Sequence, residues 1–251
     1  MKILAVGCGG FLGSFIVREL QEKGNDVAIL DFKPEPADKV PGVTWHQGDV
    51  TDFPGVHRIM EEVKPEVVLN MAGLLTNLCA RDPFRAVSVN IMGNANILEA
   101  SRLNGVRRVV FASSAGVCSP DRVDTREETF INPRISMYGA TKFLGEVMAR
   151  EFRKNYGMEV VCLRYSLIYG PGEVATPGNA MRLKNIESCV LGKPVHIDDV
   201  HGIPTASIFF TSAMQPMPRR WPFSPPTNSM RSITSPAFRP TSSPSRKSWT
   251  F

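Results

Sequence analysis

The chain has 251 residues, 43% of them hydrophobic and 21% charged, which suits a soluble globular protein with one large α/β domain or one domain plus a smaller cap. Its formal charge of +5 misdescribes the body: 23 basic and 24 acidic residues lie up to Asp199, and six basic residues with no acid follow from Val200. The basic balance therefore implies no nucleic-acid surface on the body, and no run is apolar and long enough to span a membrane.

In chain order, KILAV (2–6) is a short apolar run before a glycine cluster, hence a buried strand rather than a leader. Residues 11–24 carry apolar side chains at helical spacing and end on glycine, predicting a helix. Strands are expected at 26–30, stopping at Asp31, and at 43–50. A helix is expected at 53–63, a strand at 66–73 and one long helix at 83–105. A strand at 107–114, a helix at 136–157 and a strand at 159–166 complete the pattern. Strands alternating with helices mean a parallel sheet covered on both faces, a Rossmann-type doubly wound α/β fold. The five cysteines (Cys8, Cys79, Cys118, Cys162, Cys189) show no C-x-x-C and no pairing rhythm. They read as small buried apolar residues in a reducing, cytoplasmic setting.

GCGGFLG places Gly7, Gly10 and Gly13 between a strand and a helix, the context that makes a glycine motif informative. Gly7 permits a tight turn, Gly10 lets the backbone approach a pyrophosphate and Gly13 allows close helix packing. The helix N-terminus supplies amides to the phosphates. Asp31 can accept hydrogen bonds from ribose hydroxyls and repel a 2′-phosphate, favouring NAD over NADP, although Lys33 stands close by. Asp49, in GDV (48–50), is placed either against an adenine edge or as a loop carboxylate.

Tyr138 and Lys142 are four apart on a predicted helix and so share a face. A phenol near pKa ~10 is a poor base at neutrality, and a nearby ammonium is expected to lower that value, making the pair a general acid/base unit. ASSAG (112–116) puts Ser113 and Ser114 at the sheet's carboxyl edge, where ligands sit in doubly wound folds. His196 and His201, flanking Asp198 and Asp199, match no zinc spacing and read as loop residues, so no metal is expected.

The ordered set of G-x-x-G-x-x-G, Asp31, GDV, NMAG, VNIMGNANILEA, RRVVFASSAGV, YGATK and LRYSLIYGPG resembles the extended short-chain dehydrogenase/reductases. More narrowly it resembles the NAD-dependent epimerase/dehydratase family, of UDP-glucose 4-epimerase type, over residues 1–199. The resemblance implies that Tyr138 is the acid/base, that Lys142 binds the nicotinamide ribose and tunes Tyr138, and that Ser114 positions the reacting oxygen. It implies an NAD site formed by Gly7, Gly10, Phe11, Leu12, Gly13, Asp31, Phe32, Asp49, Val50, Ala72, Gly73, Asn90, Ser113, Tyr138 and Lys142, with Asn90 holding the active-site helix. The helices around 83–105 and 136–157 are the implied homodimer faces.

Dehydratases of the family carry an Asp-Glu pair after the catalytic Ser or Thr; here those positions are Ala115 and Gly116, so water elimination is disfavoured. Leu167 stands where 4-epimerases often carry an asparagine for the nucleotide sugar. The expected activity is nucleotide-sugar epimerisation through transient oxidation of a secondary alcohol. The alternatives are net dehydrogenation of a non-nucleotide alcohol, and an NAD-binding but catalytically impaired chain.

Residues 1–199 are thus expected to form the cofactor domain, with 200–251 an aberrant tail in place of a substrate subdomain. From Pro204 to Phe251 there are nine prolines and ten serines, a composition that reads as disordered. Regrouping codons by one base gives another reading. The Met214–Gln215, Met217–Pro218 and Trp221–Pro222 junctions must each read alanine, and Ala213–Met214 reads Asp, Asn, His or Tyr. A strand running into an alanine-rich helix emerges, as the family's substrate domain would have it. The sequence therefore predicts a reading-frame slip between about Asp199 and Ser207.

Overall fold

The computed structural model describes residues 1–36, 40–117, 135–170, 172–173 and 180–191. The tail from Val200 and the group from His196 to His201 lie outside the described residues.

Among the described residues six strands form one parallel sheet: β1 (Lys2–Val6), β2 (Asp26–Asp31), β3 (Thr44–Gln47), β4 (Val67–Asn70), β5 (Arg108–Ser114) and β6 (Glu159–Tyr165). Their order, β3-β2-β1-β4-β5-β6, reverses direction between β1 and β4, the switch point where such sheets open a crevice at their carboxyl edge. The turns after β1 and β4 therefore face each other across that crevice.

The alternating sides of β1 show why both faces are covered. Leu4 and Val6 point into a core with Leu30, Met60, Val68, Ile97, Leu98 and Val109, built against α2 (Phe53–Val63), α5 (Gly93–Leu103) and α6 (Met137–Tyr156). Ile3 and Ala5 point the other way, into a second core with Val17, Val27, Ile29 and Leu69 under α1 (Phe11–Glu22). A strand buried on both faces needs a continuous apolar run, which is what KILAV supplies.

Three expectations are corrected. The third strand is Thr44–Gln47 and the fourth Val67–Asn70, because Gly48 and the 71–73 segment turn away to build the crevice. The expected single helix at 83–105 is composite: α4 (Pro83–Ala86), a π-helical stretch Val87–Met92, then α5. A short helix, α3 (Thr76–Arg81), and a 3₁₀ turn at Ala115–Val117 were not expected, nor was α7 (Ala180–Val190).

Candidate active site

The turn after β1 is shaped by its glycines. Gly7 has φ +72°, and a Cβ there would lie 2.5 Å from the Ala72 Cα, so only glycine brings the β1 and β4 turns this close. Gly13 is equally constrained, since a Cβ would collide with the Cys8 backbone. At Gly10 a Cβ would meet nothing within 4 Å, so the backbone is open to an approaching group. Gly10 caps α1 without any side-chain hydrogen bond, which leaves the helix's first amides for a ligand. Phe11 and Leu12 are half-buried at the start of α1, with Phe11 edge-on to Phe15 at 5.6 Å between ring centres.

Asp31, 6% exposed at the end of β2, turns its carboxylate toward this loop. Its Oδ2 accepts the Gly9 N–H at 2.9 Å and its Oδ1 the Lys33 N–H at 3.0 Å. Phe32 is exposed, with the Lys33 Nζ 5.9 Å from its ring centre. Asp49 is exposed and its Oδ1 accepts both the backbone N–H and the hydroxyl of Thr51 at 2.9 Å, an Asx turn, while Val50 is buried.

On the other side of the crevice, Asn70 bridges two elements. Its Nδ2 donates to Asn94 Oδ1 at 2.8 Å and its Oδ1 accepts the Ala72 N–H at 3.2 Å. Asn90, 3% exposed within the π-helical stretch, binds both backbone groups of Leu74: Oδ1 accepts the N–H at 2.7 Å and Nδ2 donates to the carbonyl at 3.0 Å. The same Nδ2 reaches Thr141 Oγ1 at 3.0 Å and Cys79 Sγ at 3.5 Å. Asn90 thus ties the turn after β4 to α6, one residue before Lys142. A π-helical stretch widens a helix where a side chain must be redirected, and such stretches gather at functional sites.

Lys142 is 4% exposed and donates from Nζ to the Ala112 carbonyl at 2.8 Å, with Nζ 5.0 Å from the Phe111 ring centre and 5.8 Å from that of Tyr138. Burial lowers its pKa from the ordinary 10.5 to about 8, against a small opposing influence of Cys79. Ser114, at the end of β5, accepts the Gly116 N–H at 3.0 Å, and its hydroxyl lies near enough to the Tyr138 phenol to favour the phenolate. The expected lowering of the Tyr138 pKa by the ammonium is not met. Burial raises it, the Ser114 hydroxyl opposes that, Cys79 adds to it, and burial is the largest cause.

The structure brings Ser114, Tyr138 and Lys142 together, with Ala72, Gly73 and Asn90 beside them: a Cβ on Gly73 would lie 3.2 Å from Asn90 Oδ1 and 3.3 Å from Lys142 Nζ. Ser113 is placed otherwise. It is 2% exposed and its hydroxyl donates to Glu146 Oε1, while Glu146 takes Arg164 in a two-pronged pair at 2.9 and 2.8 Å. Its side chain therefore serves a link between β5, α6 and β6. Sequence reasoning missed Glu146 and Arg164, although Glu146 lies four residues after Lys142 on one helix face. Among the described residues no group of three metal-ligating side chains occurs, and no helix is long and apolar enough to cross a membrane.

Residues 3–199 match the family described as "NAD dependent epimerase/dehydratase family". The chain belongs to that family. The UDP-glucose 4-epimerase of Lactobacillus helveticus is 33% identical over 174 residues, 68% of this chain and 52% of that protein. The decarboxylating sterol-4-alpha-carboxylate 3-dehydrogenase of Schizosaccharomyces pombe is 34% identical over 193 residues, 73% of this chain and 55% of the relative. Among solved structures, the Thermus thermophilus UDP-glucose 4-epimerase in complex with NAD superimposes with a TM-score of 0.69 at 33% identity, covering 78% of this chain and 64% of that one. The chain spans about half the length of the curated relatives it matches, and the family match ends at Asp199, the last acidic residue.

Proposed function

We propose that this chain carries the NAD-binding and catalytic half of a cytoplasmic, homodimeric nucleotide-sugar epimerase. The supporting observation is the convergence of Ser114, Tyr138 and Lys142 at the sheet's carboxyl edge, opposite the glycine turn. The residues present suit NAD. The open Gly10 backbone and uncapped α1 amides fit a pyrophosphate, and the Asp31 carboxylate fits unmodified ribose hydroxyls. When bound, NAD supplies reversible hydride acceptance, which permits net inversion of a carbinol carbon without consumption of cofactor.

The protein's own part is proton handling and placement. Tyr138 Oη takes the proton of the substrate hydroxyl and later returns it, and Ser114 Oγ holds the same oxygen by hydrogen bonding. Lys142, fixed by the Ala112 carbonyl, supplies positive charge on the cofactor side of Tyr138. Asn90 keeps α6 and the Leu74 turn in register for both. For the dimer, Phe84 and Met92 are 83% and 53% exposed on the composite helix, and Leu144 is 38% exposed on α6, apolar surface of the kind subunits cover.

A second reading, net dehydrogenation, draws support from Leu167, 66% exposed where an epimerase often places a polar asparagine. The domain boundary near Asp199 and the frame slip beyond it belong to the same proposal, supported by the family match ending there. The test is to supply NAD with UDP-glucose. Interconversion to UDP-galactose without NADH accumulation supports epimerisation. NADH accumulation with an alcohol substrate supports the second reading, and NAD binding without turnover supports an impaired chain.

A further inference from the structure

Both hydrogen bonds that fix the Asp31 carboxylate come from segments that β3 touches. The Lys33 N–H binds Oδ1, and the Lys33 carbonyl in turn accepts the Trp45 indole N–H at 3.2 Å. One residue earlier, the Phe32 carbonyl accepts the Gln47 Nε2 at 3.2 Å. The Gly9 N–H binds Oδ2, and Gly9 lies against the indole: a Cβ there would be 2.6 Å from the ring and 2.8 Å from Asp31 Oδ2. Trp45 and Gln47 are two apart on a strand, so they share a sheet face, and by register Gln47 is opposite Asp31 and Trp45 opposite Ile29.

We infer that Trp45 and Gln47 are positioning residues that make the Asp31 turn selective for NAD over NADP. The inference rests on the cofactor reading above. The turn contains opposed elements: Asp31 repels a 2′-phosphate, while Lys33, two residues on, could attract one. Selectivity therefore depends on where the turn is held. As built, Asp31 faces the glycine loop and the Lys33 ammonium sits out over the Phe32 ring. Two donors from β3 hold two successive carbonyls of the turn in that arrangement, and the indole backs the Gly9 peptide. Releasing the carbonyls lets the carboxylate rotate away and Lys33 swing in, so NADP is no longer rejected.

The test is calorimetric titration of the full chain with NAD and separately with NADP, for wild type, Trp45→Phe, Gln47→Ala and the double variant, with thermal midpoints recorded. Phenylalanine deletes the donor and also the outer indole atoms that lie against Gly9, whereas Gln47→Ala removes a donor alone from a surface side chain. Each single variant is expected to lower the NADP-to-NAD ratio of dissociation constants about fivefold, the worth of one hydrogen bond, and the double variant further. An unchanged ratio, even with both cofactors bound more weakly or a lowered midpoint, overturns the inference, because a merely structural role weakens both alike. Failure of the wild-type chain to bind NAD overturns the cofactor reading and the brace together, and shows before any substitution is made.

Discussion

The Lys142 ammonium donates to the Ala112 carbonyl at 2.8 Å, and this contact joins the active-site helix to the strand that ends in Ser114. The lysine is thereby held in an apolar layer beneath Phe111 and Tyr138, where burial lowers its pKa to about 8. Below pH ~8 both folded and unfolded chains hold the proton, and the fold bears the full penalty of a buried cation. Between ~8 and ~10.5 only the unfolded chain keeps it, so stability from this group rises with pH. Lys142→Met removes the penalty. Its stability relative to wild type, measured by urea unfolding, should fall by on the order of 3 kcal/mol between pH 7 and pH 11. A pH-independent difference would show that the ammonium is not buried as described.

Tyr138 is held above the ordinary phenol range by burial, so little phenolate exists near neutrality. Base-dependent turnover should therefore climb with pH beyond 8, and Tyr138→Phe should lower kcat by about 10²–10⁴-fold while leaving NAD affinity nearly intact. A pH–rate profile for the proposed UDP-hexose interconversion, paired with calorimetry, measures both.

What the sequence made legible follows from which physical rules are local. β1 and β2 are buried on both faces, and their continuous apolar runs, like the VVFA stretch of β5, marked the strands to within a residue or two. Gly7 and Gly13 were legible because positive φ and close backbone approach each demand glycine. The direction of the Tyr138 shift was not legible. It is set by desolvation, and burial is a property of the packed fold rather than of a four-residue spacing. Ser113 and Ser114 are adjacent, yet the first hydroxyl binds Glu146 in the middle of α6 while the second, at the strand's end, accepts the Gly116 N–H beside Tyr138 at the start of the same helix. The brace from Trp45 and Gln47 was hidden for the same reason: it joins residues that only sheet register brings opposite one another.

Two glycines separate cofactor binding from folding. Gly7→Ala combines a positive φ with a Cβ 2.5 Å from Ala72, and should destabilise the fold by more than ~1 kcal/mol. Gly10→Ala has an extended backbone and open space, so it should cost less than ~1 kcal/mol of stability. Its methyl projects where the pyrophosphate would approach, and NAD affinity should fall about tenfold or more. Thermal melts beside calorimetry distinguish the two.

Asn90→Ala would strip partners from both backbone groups of Leu74 and from Thr141 Oγ1. Thr141 Oγ1 keeps its bond to the Tyr138 carbonyl and Leu74 is only half-buried, so a loss of about 1–3 kcal/mol in urea unfolding is expected. Loss of the Leu74 tether should also loosen the turn beside Gly73, weakening NAD binding more than a comparably destabilising core substitution such as Ile97→Ala would.

Glu146 and Arg164 are 13% and 16% exposed at their side chains, and their two-pronged pair is joined by Ser113. Removing one partner of a buried pair typically costs 3–5 kcal/mol, so Glu146→Ala should lose about 3 kcal/mol given the remaining exposure. Ser113→Ala deletes a single hydroxyl from this link and should cost only about 1–2 kcal/mol, with NAD affinity unchanged. A selective loss of NAD binding in Ser113→Ala, without loss of stability, would instead restore Ser113 to the cofactor site.

The last prediction concerns the end of the sheet. Val161 and Leu163, two apart on one face of β6, are 36% and 39% exposed. Exposed apolar side chains side by side on a sheet face invite association. If the residues after Asp199 are a substrate subdomain read out of frame, one inserted or deleted base between codons 199 and 207 restores an alanine-rich strand–helix continuation. The coding DNA decides that first step. The restored chain should then bind less of a hydrophobic dye, remain dispersed at higher concentration and convert UDP-hexoses faster than the chain as written. Equal dye binding and equal turnover in both would show that the written tail already does what a substrate subdomain does.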